Sequence, residues 1–187
     1  EDVQRLREFY QIISDLYTDN LAFQSKVSCS NEKEGFPSSH LTDGREDTFW
    51  VPTSDETAYV LEIDLGQTRS FNLVEIREPI AKGQRIAGFT LEVKQETGWT
   101  DFARGQTIGY KRLLLGEMVE ARYLRLILTD FQALPLLNKF AVYKTPTVLE
   151  KKNTIAGLEF SKISSPLVGG QNLSISLRRL DKVEDRE

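Results

Sequence analysis

The sequence predicts an all-β protein: an antiparallel β-sandwich of the jelly-roll type, with an N-terminal helix before it and a C-terminal β extension after it. Two observations predict this class. Between residues 21 and 144, apolar residues alternate with polar ones in short runs, and glycines separate these runs. Helical spacing is absent from the same region, so many short strands joined by turns fit an antiparallel sandwich better than a parallel α/β sheet.

Three segments divide the chain. Residues 1–20 are predicted to form an amphipathic connecting helix, because apolar residues recur there every three or four positions. A lone helix of this length is marginal in water, so its apolar stripe must pack on the sandwich or on another domain. Residues 21–144 are predicted to form the sandwich, and residues 145–187 a polar linker and a C-terminal β extension. The helical stripe consists of Val3, Leu6, Phe9, Ile13, Leu16 and Tyr17.

The sandwich region contains five runs that we predict to be strands. They are residues 59–65, 71–77, 86–93, 122–129 and 139–143. In the first run, residues 59, 61, 63 and 65 are apolar and share one face; in the fourth, Leu124 and Leu126 oppose Tyr123 and Arg125. In the C-terminal extension, apolar alternations over residues 158–163 and 173–177 predict a hairpin.

Composition excludes several classes of protein. The chain has 187 residues, 24 Lys and Arg against 28 Asp and Glu, and a net charge of −4. It therefore lacks the excess of basic residues that is typical of proteins that bind nucleic acids or anionic membranes. Its length falls short of the roughly 250 residues of a complete TIM-barrel enzyme. With one cysteine, Cys29, and one histidine, His40, neither an internal disulfide nor a histidine-based zinc site can form.

The run LTDGREDTFW, residues 41–50, joins an oxygen-rich turn to the β core. Asp43 and Gly44 have strong turn chemistry, because Asp hydrogen-bonds its own backbone and Gly accepts a positive φ. Thr48 to Trp50 is interpreted as the start of an inward-packing strand, with Trp50 in the core. A tight loop that carries several carboxylates and hydroxyls is therefore predicted to meet the sandwich.

The blocks VLEIDLG, VEIREPIAKGQRIAGFTLEV, GWTDFARGQTIGYKRLLL and ARYLRLILTDFQALPLLNKFAVYK resemble the discoidin, or coagulation factor C-type, β-sandwich. Within them, EPIAKGQRI, TIGYKR and PLLNKFAVY are more similar to the C-terminal sandwich of glycoside hydrolase family 29 α-L-fucosidases. The resemblance covers residues 1–144.

This resemblance implies a carbohydrate-binding or scaffolding domain without catalytic activity of its own. Family 29 enzymes keep their nucleophile and acid/base carboxylate in a barrel that precedes the sandwich, so we expect the parent protein to be a retaining α-L-fucosidase. The implied partners are that catalytic barrel and a fucosylated or galactose-containing glycan. The alternative is a discoidin-type module that recognises protein or phospholipid, although the acidic chain makes membrane binding less favourable. The resemblance implies a secreted, periplasmic or lysosomal location, which the chain itself does not reveal.

The resemblance also implies a structural Ca²⁺ in the turn of residues 41–50, because Ca²⁺ takes six to eight oxygen ligands. By position, the ligands are the carbonyl of His40, the carboxylate of Asp43, the carbonyl of Arg45, both oxygens of Thr48, and Asn138. Where relatives tend to carry a glutamate, this chain has Lys139. Its ammonium cannot ligate Ca²⁺, so a metal-free pairing of Asp43 with Lys139 remains the alternative.

For glycan binding, a sugar needs an aromatic face and planar hydrogen-bond donors. Arg77 falls where discoidin lectins carry a sugar-contacting arginine, and Gln84 and Arg85 follow in the next turn. Trp99 and Tyr110 are the candidate aromatic platforms, with roles in the core or in hairpin packing as the alternative. A second alternative is that Gln84, Arg85 and residues 110–112 face the catalytic barrel.

Overall fold

The structure, a computed structural model, describes residues 2–29, 31–54 and 56–145, and the pairs 154–155, 158–159 and 178–179. The chain divides into two compact units, Glu1–Thr145 and Pro146–Glu187. Within the described residues, no helix has both the length and the apolar run needed to cross a bilayer.

The described residues of the first unit form one α-helix, two short 3₁₀ helices (Ser38–Leu41 and Ile80–Lys82) and six strands. The helix α1 spans Asp2–Leu16. Most side chains of its predicted apolar stripe lie outside the described part of the structure. The strands are β1 (Lys26–Cys29), β2 (Tyr59–Arg77), β3 (Ile86–Gln95), β4 (Gly98–Gly105), β5 (Arg112–Phe131) and β6 (Lys139–Tyr143).

Five of the strands form an antiparallel sheet in the order β1-β2-β5-β3-β4. β6 pairs antiparallel with the second half of β2, on the side of β2 opposite to β5. β2 and β5 have 19 and 20 residues, far beyond the usual strand length of about five or six. Their pairing shifts between Asp64 and Arg69 and again between Phe71 and Leu73. Such bulges bend a strand, so the two ends of β2 take part in the two layers of the sandwich.

Both layers face one core. Leu61 and Ile63 from the first half of β2, and Val74 and Ile76 from the second half, are fully buried in the same cluster. The buried positions change from odd to even across the shift at Phe71, because one extra residue in a strand turns the following side chains to the other face. The core also contains the fully buried Trp50, Tyr59, Phe71, Phe140, Leu124 and Leu126.

The all-β sandwich is confirmed, and the strands differ from the prediction in their ends. Two predicted strands are parts of the continuous β2, because the polar residues 66–70 remain in the strand. β5 begins at Arg112, ten residues before its predicted start. The prediction missed β1 and β4; no side chain of β4 is fully buried, so its sequence lacks a clear alternation.

In the second unit, the six described residues form the short strands β7 (Thr154–Ile155), β8 (Leu158–Glu159) and β9 (Arg178–Arg179). β8 pairs antiparallel with both β7 and β9. The hairpin predicted from residues 158–163 and 173–177 lies mostly outside the described residues.

Candidate functional site

A buried carboxylate joins two loops at the end of β2. Glu78 is 1% exposed, and its Oε1 accepts the backbone N–H groups of Arg85 (2.7 Å) and Ile86 (3.1 Å). Its Oε2 accepts the N–H of Gly109 at 2.7 Å, and its own N–H donates to the carbonyl of Gly109 at 2.9 Å. Because these bonds are charge-assisted, Glu78 fixes the loop before β3 against the loop before β5.

The joined loops border a cleft of about 290 Å³ at the end of β2. Its walls include Arg77 and Tyr110, and the guanidinium of Arg77 lies 5.4 Å from the centre of the Tyr110 ring. Tyr110 remains 61% exposed. Across the cleft, Nζ of Lys82 lies 5.0 Å from the ring centre of Phe49. The cleft thus offers an accessible aromatic surface beside positively charged donors.

Two carboxylates, those of Glu75 and Glu46, hold the guanidinium of Arg77 in place. Its Nε donates to Oε1 of Glu75, and its Nη1 donates to Oε1 of Glu46 at 3.1 Å. The side chain of Arg77 is only 12% exposed, whereas that of Glu46 is 75% exposed. The pair with Glu75 is therefore the shielded one, and it presents the guanidinium to Tyr110 in a fixed position.

Glu75 is fully buried on the outer face of the sheet and is the centre of a polar cluster. Nζ of Lys139 lies 3.5 Å from its Oε1, and the hydroxyl of Tyr143 donates to its Oε2 at 3.4 Å. Burial and the negative charge of Glu75 raise the pKa of Tyr143 far above its usual value, and the same two causes raise the pKa of Tyr17. Tyr17 meets Tyr143 edge to face, with ring centres 5.1 Å apart.

The raised pKa of Tyr143 predicts a loss of stability in alkaline solution. Unfolded tyrosine releases its proton near pH 10, whereas folded Tyr143 retains it. The folded state then binds more protons, so the stabilisation is complete below pH 10 and falls above it by up to about 1.4 kcal/mol per pH unit. Tyr143→Phe should flatten this decline in urea unfolding between pH 9 and 11. An equal effect of Tyr10→Phe, the control on α1, would contradict the assignment.

The predicted metal loop forms the tight turn expected of it. Oδ1 of Asp43 accepts the N–H of Arg45, and Oδ2 accepts the hydroxyl of Thr48, both at 2.8 Å. Gly44 has a φ of +80°. The ring Nδ1 of His40 lies 3.1 Å from the carbonyl of Phe49. The carboxylate of Asp43 is therefore oriented by two donors of its own loop.

Asn138 and Lys139 interact with residues other than Asp43. Nδ2 of Asn138 donates to the carbonyl of Glu46 at 3.2 Å. In the part of the chain that is described, the buried Oδ1 of Asn138 has no hydrogen-bond partner. Lys139 pairs with Glu75, so the expected pairing of Asp43 with Lys139 is replaced by a different ion pair. Lys139 of β6 pairs with Arg77 of β2, so its side chain lies on the same face of the sheet as those of Arg77 and Glu75.

The carboxylate, carbonyl and hydroxyl oxygens of this turn are chemically suited to a hard cation such as Ca²⁺. Asn138 is joined to the turn through its bond to the carbonyl of Glu46, and its buried Oδ1 has no hydrogen-bond partner among the described residues. Across residues 2–29, 31–54 and 56–145, no group of three or more His, Cys, Asp or Glu side chains is arranged around a common point. Ligands in this loop would therefore be mainly carbonyl and hydroxyl oxygens.

The structure brings Arg77, Tyr110 and Asn138 to one cleft and places the other candidates elsewhere. The guanidinium of Arg85 donates to the carbonyls of Lys82 and Leu134, so it stabilises a loop. Gln84 is exposed on the loop before β3. Trp99 lies on β4, where the guanidinium of Arg125 is 4.3 Å from its ring centre.

Two residues of the site were not predicted from the sequence: Glu75 and Glu78. Glu75 lies between Val74 and Ile76, and an acidic residue inside an apolar strand is a signal of a buried polar contact. Glu75 and Arg77 are two positions apart, so they share one face of β2 and can pair. For Glu78, no sequence signal identifies its three backbone donors, which come from two distant loops.

Comparison with known proteins gives the following similarities. The F5/8 type C domain family matches residues 25–137. The putative alpha-L-fucosidase 1 of Oryza sativa subsp. japonica is 33% identical over 148 residues, which are 76% of this chain and 29% of that protein. The crystal structure of SpGH29 superposes with a TM-score of 0.73 at 43% identity, covering 78% of this chain and 32% of SpGH29.

A chitosan-binding module from a Paenibacillus sp. IK-5 chitosanase/glucanase superposes with a TM-score of 0.60 at 22% identity, over 67% of this chain and 98% of the module. At this identity the similarity shows the fold alone. The chain spans less than one third of the length of the rice protein and less than one third of the length of SpGH29. It belongs to the F5/8 type C, or discoidin-like, domain family, and its longer homologues are α-L-fucosidases.

Proposed function

We propose that this chain is a non-catalytic carbohydrate-binding domain that works within a longer α-L-fucosidase-like glycosidase. The family match and the fucosidase homologues support this function. The acidic residues of the cleft do not resemble a catalytic pair. Each is held by other groups: Asp47 forms an ion pair with Arg45 at 2.8 Å, Glu46 accepts a hydrogen bond from Arg77 at 3.1 Å, and Glu78 accepts three backbone N–H groups.

The observation that carries glycan binding is the exposed ring of Tyr110 beside the fixed guanidinium of Arg77. A sugar presents an apolar face of C–H groups and a rim of hydroxyls, so it needs an aromatic surface with polar groups at its edge. In this cleft Tyr110 supplies the surface, and Lys82 supplies a donor. The proposed ligand is a neutral fucosylated or galactose-containing glycan.

Tyr110→Ala is expected to weaken glycan binding at least about tenfold, the loss that corresponds to about 1.4 kcal/mol of contact. Its exposure means that the substitution leaves the core intact. The measurement is calorimetric titration with L-fucose, galactose and fucosylated oligosaccharides. Tyr10→Ala is the matched control, since Tyr10 is 63% exposed on α1. Binding of equal affinity in both variants would place the site outside this cleft.

The alternative is a discoidin-type module for protein or phospholipid. Liposome pelleting with anionic vesicles separates it from a glycan-binding domain. Pelleting of the wild-type chain together with an absence of glycan binding would favour the alternative over the proposed function.

We also propose that the turn of residues 41–50 takes one structural Ca²⁺ through the carbonyls of His40 and Arg45, Asp43, Thr48 and Asn138. The oriented carboxylate of Asp43 and the unpaired oxygen of Asn138 support this assignment. The ion would fix the loop that carries Glu46, a partner of Arg77.

Saturating Ca²⁺ is expected to raise the melting temperature by about 5 to 10 °C, since a ligand at a hundred times its Kd stabilises by about 2.7 kcal/mol. Asp43→Asn should remove this shift while it keeps an oxygen acceptor for the N–H of Arg45. Glu34→Gln, an exposed charge outside the turn, is the control. A melting temperature that is indifferent to Ca²⁺ and to chelator would show that the loop is complete without a metal.

A further inference from the structure

The outer face of the sheet where β6, β2 and β5 pair carries two rows of side chains. In the first row, Leu73 pairs with Tyr143 on one side and Leu115 on the other. In the second row, Glu75 pairs with Ala141 and Leu113. Directly paired residues share a face, so these six side chains lie together. We call Leu73, Leu113, Leu115, Ala141 and Tyr143 the outer apolar face.

This face points away from the core of the sandwich. The alternate residues of the same strands, Val74, Leu114 and Val142, are the ones buried in the main core. Leu73, Ala141 and Tyr143 instead form a second, separate cluster. The sandwich core therefore does not account for the apolar residues on the outer side.

Among the described residues, the outer apolar face has a packing partner on its β6 side and exposed leucines on its β5 side. Tyr17 packs on the β6 side, between Tyr143 and Nζ of Lys111, which lies 4.3 Å from its ring centre. On the β5 side, Leu113 is 42% exposed and Leu115 is 68% exposed. Two exposed leucines next to a buried apolar cluster form a contiguous apolar patch. Such patches are typical of interaction surfaces, whereas apolar residues that are exposed singly are common on any protein.

The relatives' lengths and the bounds of the family match bear on which partner covers this face. The similarity to the rice fucosidase covers 76% of this chain, and a stretch of that length in 187 residues must include at least residues 139–142 of β6. β6 lies outside the F5/8 type C match at residues 25–137. One side of the outer apolar face thus belongs to a segment that the fucosidases share in addition to the type C domain. These relatives also contain a further part, more than two thirds of their length.

We propose that the outer apolar face is the docking surface for the catalytic part of the longer fucosidase-like polypeptide. Leu113 and Leu115 supply its exposed apolar contact, and Tyr17 already covers the opposite side. This inference rests on the proposed association with a catalytic part, but not on glycan binding. Arg77 contacts both Glu75 of this face and Tyr110 of the cleft, so the docked catalytic part would lie beside the proposed glycan site.

The test uses the longer polypeptide that contains this chain and the catalytic part, as wild type and with Leu113→Asp and Leu115→Asp together. Scanning calorimetry should show one joint transition in the wild type and two in the variant. Trypsin should separate the two parts at least tenfold faster in the variant. Val60→Asp is the control, because Val60 is 37% exposed on β2 outside this face. In the 187-residue chain, the leucine variant should keep its melting temperature and its glycan affinity.

Three results would overturn the docking surface. Unchanged calorimetry and proteolysis in the leucine variant would do so, and intact binding by the Tyr110 cleft would then leave the proposed function standing. A dimer of the 187-residue chain that dissociates in the leucine variant would assign the face to a second copy. Faster hydrogen exchange at residues 112–116 after removal of residues 146–187 would assign it to the C-terminal unit.

Discussion

Replacing Glu78 by alanine is expected to lower the free energy of unfolding by about 3 to 5 kcal/mol, because three buried backbone N–H groups lose a charged acceptor. The groups belong to Arg85, Ile86 and Gly109, on two loops that are far apart in sequence. Alanine offers no acceptor in their place. The measurement is urea unfolding of the wild type and the variant.

Glu78→Gln distinguishes the acceptor from the charge. Its amide oxygen can still accept the N–H groups of Arg85 and Ile86, but its amide nitrogen would face the N–H of Gly109. We therefore expect a smaller loss of stability, together with a loosened loop at Tyr110 and weaker glycan binding. Glu117→Ala is the control, because Glu117 is exposed on β5. A loss below about 1 kcal/mol in Glu78→Ala would show that water replaces the carboxylate.

Arg77→Ala is expected to cost a similar amount, about 3 to 5 kcal/mol, because it removes one partner of a buried ion pair. Glu75 would remain fully buried, with Lys139 at 3.5 Å as its remaining cation. Arg77→Lys should cost less, since it keeps a positive charge. Urea unfolding again provides the measurement.

A double-mutant cycle tests whether the pair with Glu75 is the cause. Combining Glu75→Leu with Arg77→Met replaces both charges by apolar side chains, so the double variant should be less destabilised than the sum of the single variants. Additive losses would mean that Arg77 stabilises the fold through other contacts, such as the one with Tyr110.

These effects decide how glycan binding must be tested. Arg77 is the arginine that the sequence resemblance assigns to sugar contact. Its loss would abolish binding even without a direct sugar contact, because the cleft wall would lose its support. Tyr110 has no comparable burial, so a substitution there reports on ligand contact itself.

The local alternation of apolar and polar residues was sufficient to predict the buried faces of the central strands. Leu61, Ile63 and Leu65 alternate with the polar Glu62 and Asp64, and all three share one buried face as predicted. The same holds for Leu124 and Leu126 on β5. The pattern did not reveal that β2 continues through residues 66–70, because a bulged strand keeps its pairing while its side chains are polar and exposed.

The candidate site was only partly accessible from the sequence. Arg77 and Asn138 were identified by resemblance and Tyr110 by residue type, and the three line one cleft. Trp99 and Arg85 were equally plausible by residue type, but one lies on β4 and the other binds loop carbonyls. Residue type indicates what a side chain can bind, whereas its position in space decides whether it is available.

The sequence by itself determined the all-β class, the faces of the central strands and the membership of the discoidin-like family, because periodicity and motifs are local properties. Only the tertiary structure decided that Lys139 pairs with Glu75 and that Glu78 joins two loops. It also decided that two leucines of β5 remain exposed beside a buried cluster. These facts depend on strand register and on the bend of β2, which bring together residues that are distant in the chain.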